Sequence, residues 1–261
     1  MAGAVLTPLG SAVLPNAGRA AESAPGTEAN SPRYRIGVCD WMILKRQKLG
    51  AIERAREIGV DGVEVDMGSL GRRETFENKL ADSDFRETFL QAAAEQKIQI
   101  CSLAMSGFYA QSFAQRPTVP RMVDDCLKTM TQMGVGVAFL PLGVQGDLVV
   151  HPELRPAIVQ RLRDAGRRAA QQGVVIGAET ALDAAGEVDL LAEIGSPAIQ
   201  IYYNFANPLQ AGRDLYAELE TLGKDRICQI HCTDEDVVLL EDNRRLDLHR
   251  VKRTLDKMGW S

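Results

Sequence analysis

The chain has 261 residues, 45% of them apolar and 25% charged, with a net charge of -5. That is the balance of a globular protein with one large core, and a (β/α) barrel takes about 250 residues as a single domain. The acidic balance gives no basic stripe for nucleic acid, and no apolar run approaches the roughly 18 residues needed to span a bilayer, so a small polar substrate is the expected partner.

The five cysteines, Cys39, Cys101, Cys126, Cys228 and Cys232, are odd in number and lack C-x-x-C spacing. Several lie inside apolar runs, so reduced buried thiols are expected rather than a disulfide framework. Residues 1–32 are rich in Ala, Gly, Ser and Pro, without helical or strand periodicity. Ala4–Leu14 has the apolar character of an export signal but no charged region before it. A remnant of an export signal and a disordered tail both remain open, and with them export or a cytoplasmic location. Either reading sets residues 1–32 apart from a domain over 33–261.

From Tyr34 onward, short β-rich runs alternate with helical patterns. Tyr34–Asp40 reads as a first strand, and Leu49, Ile52, Ala55 and Ile58 then share one helical face. Gly62–Met67 is a second strand, followed by a helix over 83–96 and a third strand, Ile98–Met105. Val123, Leu127 and Met130 mark the next helix, Val137–Leu142 the fourth strand, and Leu154, Ile158, Leu162, Ala165 and Ala169 another helix. Val174–Glu179, Ala198–Asn204 and Arg226–His231 are the remaining strands, separated by helices over 183–194 and 211–222. Asp247 can cap a last helix carrying Leu248, Val251, Leu255 and Met258. Seven strand–helix units predict a parallel α/β sheet, here a TIM (β/α)8-type barrel lacking its eighth strand. An open doubly wound sheet is disfavoured because Cys39-Asp40-Trp41 follows the first strand where a glycine-rich turn belongs.

Active sites of such barrels form at the C-terminal ends of the strands. If the apolar face of each strand meets the helices, Glu179, Asn204 and His231 point into the barrel mouth, and Glu64 fits the same geometry. A carboxylate, an amide oxygen and an imidazole form an O/N set suited to one divalent ion, Mn2+, Mg2+, Co2+ or Zn2+. The bland alternative is a row of polar strand ends that bind water and one another. His151 and His249 read as surface residues. Trp41, Phe108 and Tyr109 are candidates to wall a sugar pocket or simply to pack at the rim. Gly143-Val144-Gln145-Gly146 reads as a tight turn in preference to a phosphate loop.

Over residues 34–261 the chain resembles the sugar phosphate isomerase/epimerase family of xylose-isomerase-like barrels. The resemblance rests on Ile58–Glu64, Gly177-Ala178-Glu179-Thr180, Ile201–Pro208, Ile230–Asp234 and the ending Leu255–Trp260. It implies a metal-dependent isomerase or epimerase acting through an enediolate, with Glu179 as catalytic base and Glu179, Asn204 and His231 as metal ligands. It also implies substrate contacts from Glu64, Trp41, Asn207 and Asp234, and leaves a homo-oligomer open. The chain departs from the family at Asn204, where an Asp is usual, at Cys232-Thr233 in place of a lysine-bearing motif, and in the absent eighth strand with its Glu. Three alternatives stay open: an impaired sugar-binding barrel, a truncated isomerase, and a keto-inositol dehydratase-like lyase. A DNA endonuclease of the same superfamily is disfavoured by three histidines and the acidic balance.

Overall fold

The structure is a computed structural model that describes residues 4–7, 34–234 and 238–260. Seven strands run parallel in chain order: β2 (Arg35–Cys39), β3 (Gly62–Asp66), β4 (Gln99–Ala104), β5 (Val137–Pro141), β6 (Val175–Glu179), β7 (Ile199–Asn204) and β8 (Ile227–Cys232). Each matches a predicted strand to within a residue or two. The strands are separated by α1 (Gly50–Ile58), α2 (Ser83–Glu95), α3 (Val119–Met133), α4 (Arg155–Gln171), α5 (Ala184–Ile194), α6 (Ala206–Gln210) and α7 (Leu215–Leu222), and α8 (Leu248–Met258) follows β8. Asp247 caps α8 by accepting the Arg250 N–H, as its position predicts. The helix expected over 211–222 is α7, begun by Asp214, which accepts from the N–H groups of Tyr216 and Ala217, and the short α6 that precedes it is unexpected.

The barrel is closed by β1 (Ala4–Thr7), which pairs antiparallel with β2 on one side and with β8 on the other. Here the structure departs from the sequence reading, which set residues 1–32 apart from the domain and left the barrel one strand short. Two bare edges present rows of unsatisfied N–H and C=O groups, and one extended segment satisfies both. The rest of the 1–32 tail lies outside the described residues.

Two apolar layers lie outside the barrel wall. Val63, Val65, Leu103, Met105 and Ile176 pack against α1 to α4, and Ile201, Tyr203, Ile227 and Ile230 pack against α7 and α8. A smaller cluster of Cys39, Ala104, Phe139, Tyr202 and Cys228 fills the interior. Gly177 faces inward, where a Cβ would lie 2.4 Å from Cys228 Sγ and 3.0 Å from Tyr202 Cβ. Its missing side chain is what lets the Tyr202 ring occupy the barrel axis.

Two register shifts interrupt the sheet. Val63 pairs with Ile100 but Glu64 with Ser102, and Ile201 pairs with Ile227 but Tyr202 with Gln229. Cys101 and Cys228 are therefore the extra residues on their strands. Each extra residue reverses the alternation that precedes it. Ile227 faces the helices, so strict alternation would turn His231 outward; the extra Cys228 turns it into the barrel. Cys101 does the same for Ser102.

All five cysteines are unpaired, four of them buried. No helix among the described residues is long and apolar enough to cross a membrane.

Candidate active site

His231 organises the site. It stands next to the end of β8, and its ring packs against Phe139 and Tyr202 at centroid distances of 4.7 and 4.4 Å, those two rings lying 4.6 Å from each other. Its two nitrogens face two carboxylates: Nδ1 lies 3.4 Å from Glu179 Oε2, and Nε2 lies 3.1 Å from Glu64 Oε1. Burial disfavours the imidazolium, but the hydrogen bonds and charges of Glu179 and Glu64 outweigh it and raise the His231 pKa to about 9.

Glu179 ends β6 at the mouth of the barrel. The Tyr109 hydroxyl approaches its two oxygens at 3.3 and 3.4 Å, and the Asn204 amide nitrogen donates to Oε2 at 3.1 Å. Burial, followed by the charge of Glu179, pushes the Tyr109 hydroxyl well above its ordinary range, so it stays a donor. The Asn204 side-chain oxygen accepts from the Ala206 N–H at 2.9 Å and the Thr233 hydroxyl at 2.7 Å. A backbone N–H can only donate, so this contact fixes which end of the amide is oxygen.

The structure thus brings Glu179, Asn204 and His231 together, as the strand-end pattern predicts. As metal ligands they are not equivalent. Glu179 offers carboxylate oxygens at the mouth, and His231 Nδ1 offers a lone pair once a divalent ion displaces the proton that the raised pKa keeps on the ring; the two fit such an ion. Asn204 presents N–H to Glu179, and its oxygen would have to release Ala206 and Thr233 before it could ligate. Among the described residues, a second grouping places one ligand atom each from Cys39, Glu64 and His231 within 4.8 Å of one another.

The expected substrate residues are more scattered. Trp41 lies parallel to Phe139, 7° between planes and 6.3 Å between centroids, on a ring that itself packs against His231. Asn207 donates to the Thr180 carbonyl at 2.7 Å and so shapes the loop that follows Glu179. Asp234 accepts from Asn243 at 2.6 Å and from Arg245 at 2.5 and 3.0 Å, so its oxygens are committed to the segment leading to α8. Glu64 is fully buried below the mouth and touches His231 from beneath, out of reach of a substrate. Phe108 packs edge-on against Phe76 and Phe113 in the outer core; of the aromatic candidates Tyr109 contacts Glu179, and both it and Trp41 pack on Phe139. His151 pairs with Glu153 at the surface and His249 is exposed, as expected. Gly143 adopts φ +60°, and a Cβ there would meet the Phe108 carbonyl at 2.5 Å, which is the tight-turn reading of that segment.

The sequence reading missed Ser102, Tyr202 and Cys39 as parts of the site. The first two donate to Glu64 Oε2 at 2.6 and 2.7 Å, and the Cys39 thiol donates to Oε1 at 3.3 Å. Burial, then the charge of Glu64, holds the Cys39 thiol and the Tyr202 hydroxyl well above their ordinary ranges. Alternation turns Tyr202 to the same face as Asn204, but its bond to Glu64 is not legible in the sequence, and Ser102 reaches the interior only through the extra residue on β4.

The sequence model of the xylose isomerase-like TIM barrel family matches residues 52–261. The chain belongs to that family. Within it, a similar characterised protein is the 2-epi-5-epi-valiolone 7-phosphate 2-epimerase of Actinoplanes sp., 28% identical over 209 residues, which covers 77% of this chain and 72% of the relative. Among solved structures, 3-keto-D-glucoside 4-epimerase from E. coli superposes with a TM-score of 0.63 at 17% identity, covering 82% of this chain and 83% of that one. The IolI protein with a bound zinc atom gives a TM-score of 0.63 at 15% identity, covering 86% and 85%. These two likenesses concern the fold, and the family members found include sugar epimerases and isomerases.

Proposed function

We propose that this barrel is a divalent-metal-dependent isomerase or epimerase of a sugar or sugar phosphate, working by proton transfer next to a carbonyl. The observation that carries the reading is the placement of Glu179 at the mouth, 3.4 Å from His231 Nδ1. A carboxylate and an imidazole nitrogen at strand ends supply both a base and two ligand atoms. The similar 2-epi-5-epi-valiolone 7-phosphate 2-epimerase supports a phosphorylated substrate and an epimerisation.

Glu179 takes the proton from the carbon beside the carbonyl, the C–H electron pair moves toward the carbonyl oxygen, and an enediolate results. A divalent ion held by Glu179 and His231, with Asn204 at the third position once its oxygen is released from Ala206 and Thr233, would supply Lewis-acid stabilisation of that developing negative charge. The Tyr109 hydroxyl, kept protonated, steadies the Glu179 carboxylate and faces the space where an oxyanion forms. Trp41 offers an apolar wall for the C–H face of a sugar ring. Returning the proton to the neighbouring carbon, while the hydroxyl proton passes from its oxygen to the former carbonyl oxygen, completes an isomerisation with Glu179 as the only base at carbon. Epimerisation needs a second base on the opposite face.

The test is solvent-deuterium exchange at the α-carbon of ketose substrates with Mn2+, Mg2+, Co2+ or Zn2+ present. Wild type should exchange, and Glu179→Gln should lose exchange by a factor of about 100 or more, within the range for removal of a general base. Undiminished exchange in that variant would take Glu179 out of the mechanism. A second reading, a barrel that binds sugar without turning it over, is favoured by Asn204, which adds no negative charge for a cation. Stoichiometric sugar binding without exchange would support it.

A further inference from the structure

The two carboxylates that flank His231 differ in what they can reach. Glu179 borders the mouth, whereas Glu64 is 0% exposed and every contact it makes is to a protein donor. Ser102 and Tyr202 fill Oε2, and the Cys39 thiol takes one side of Oε1. The remaining direction at Oε1 points at His231 Nε2, 3.1 Å away. A carboxylate oxygen only accepts, so the imidazole must carry hydrogen on that nitrogen to satisfy it.

We propose that Glu64 is a positioning residue: it fixes hydrogen on Nε2 of His231 and thereby presents Nδ1 to a divalent cation at the mouth. The inference rests on the reading that a cation binds beside Glu179, and it extends that reading to the layer beneath. A ligating histidine usually donates its other ring N–H to a carboxylate or carbonyl, which sets the ring's orientation and strengthens it as a ligand. Here the supporting carboxylate is itself held by two hydroxyls at 2.6 and 2.7 Å, and the ring packs against Phe139 and Tyr202. Both register shifts serve this arrangement. The extra Cys101 brings Ser102 to Glu64, and the extra Cys228 turns His231 inward.

The competing possibility is an ion within the triangle of Cys39, Glu64 and His231 Nε2. Their separations of 3.3, 3.1 and 3.6 Å fit hydrogen bonds, and Cys39 and Glu64 are 1% and 0% exposed. An ion there would be sealed from a sugar oxygen, and Glu64 would become a ligand.

Proton–nitrogen correlation spectra of the full chain labelled in histidine separate the two, with His231→Gln used for assignment and zinc as a diamagnetic probe. In the metal-free wild type, His231 Nε2 should carry a proton protected from solvent exchange. Zinc should then shift the Nδ1 resonance. In Glu64→Gln the protected proton should disappear, and calorimetry should show zinc binding weakened about 10- to 100-fold. Tyr202→Phe removes one anchor of Glu64 and no hydrogen bond of the imidazole; it should weaken zinc less, and it keeps the test standing if Glu64→Gln fails to fold. Zinc that shifts Nε2 would overturn the inference, as would undiminished zinc affinity in both variants. If zinc does not bind but the Nε2 proton is protected in wild type and lost in Glu64→Gln, the metal reading fails while the hold of Glu64 on the imidazole stands.

Discussion

Glu187, in α5 just after the loop that follows Glu179, should make stability fall as pH rises. Its Oε1 accepts from the Thr180 hydroxyl at 2.9 Å, while its buried Oε2 has no hydrogen-bond partner among the described residues. Burial is the largest influence on its pKa; the Thr180 hydroxyl opposes it, the charge of Glu218 adds to it, and the result is about 8 against an ordinary 4.5. A raised carboxyl pKa means that the folded state keeps a proton which the unfolded state releases. The contribution to stability is therefore complete below pH 4.5 and is lost progressively as pH rises to about 8. At about 1.4 kcal/mol per pH unit, the loss across that window is on the order of 5 kcal/mol. Glu187→Gln removes the titration and keeps an oxygen for Thr180, at a fixed cost for its buried amide of about 1–3 kcal/mol. Urea unfolding of wild type and Glu187→Gln from pH 4 to 9 is the assay. The difference between them should move in favour of the variant by about 3–6 kcal/mol over that range. Parallel stability curves would refute the reasoning, because they would mean that Glu187 ionises alike in the folded and unfolded chain.

Asn204→Asp should act in opposite directions with and without an ion. Its new oxygen would stand where an amide N–H now lies 3.1 Å from Glu179, so the metal-free variant should lose about 1–3 kcal/mol at neutral pH, and Mn2+ should raise its Tm more than it raises that of wild type. Equal Tm shifts would exclude this corner as the cation site. Gly177→Ala should cost about 1–3 kcal/mol in urea unfolding, since the added Cβ meets Cys228 Sγ at 2.4 Å, and pairing it with Cys228→Ala should recover part of the loss. Removing residues 1–33 takes β1 from between β2 and β8; the shortened chain should self-associate in light scattering in proportion to concentration, and a monodisperse monomer of unchanged Tm would argue against that role.

The sequence by itself determined the seven parallel strands. The two-residue alternation of Val175–Glu179 and Ile199–Asn204, with apolar side chains toward the helices, was enough to place Glu179 and Asn204 inside the mouth. The caps and apolar stripes of the helices were legible for the same reason: they are local, and their period is set by backbone geometry. The tertiary structure decided what that periodicity cannot carry. The extra residues Cys101 and Cys228 change which face Ser102 and His231 occupy, and only pairing with the neighbouring strand reveals them. Glu64 looked like a residue for substrate, since strand position gives the direction of a side chain but not its depth. Its burial, its hydroxyl donors and its contact with His231 come from strands 38 and more residues away in the chain. The segment Ala4–Thr7 joins the barrel for a similarly non-local reason: its own residues carry no strand period, and two open edges far along the chain supply the partners for its backbone.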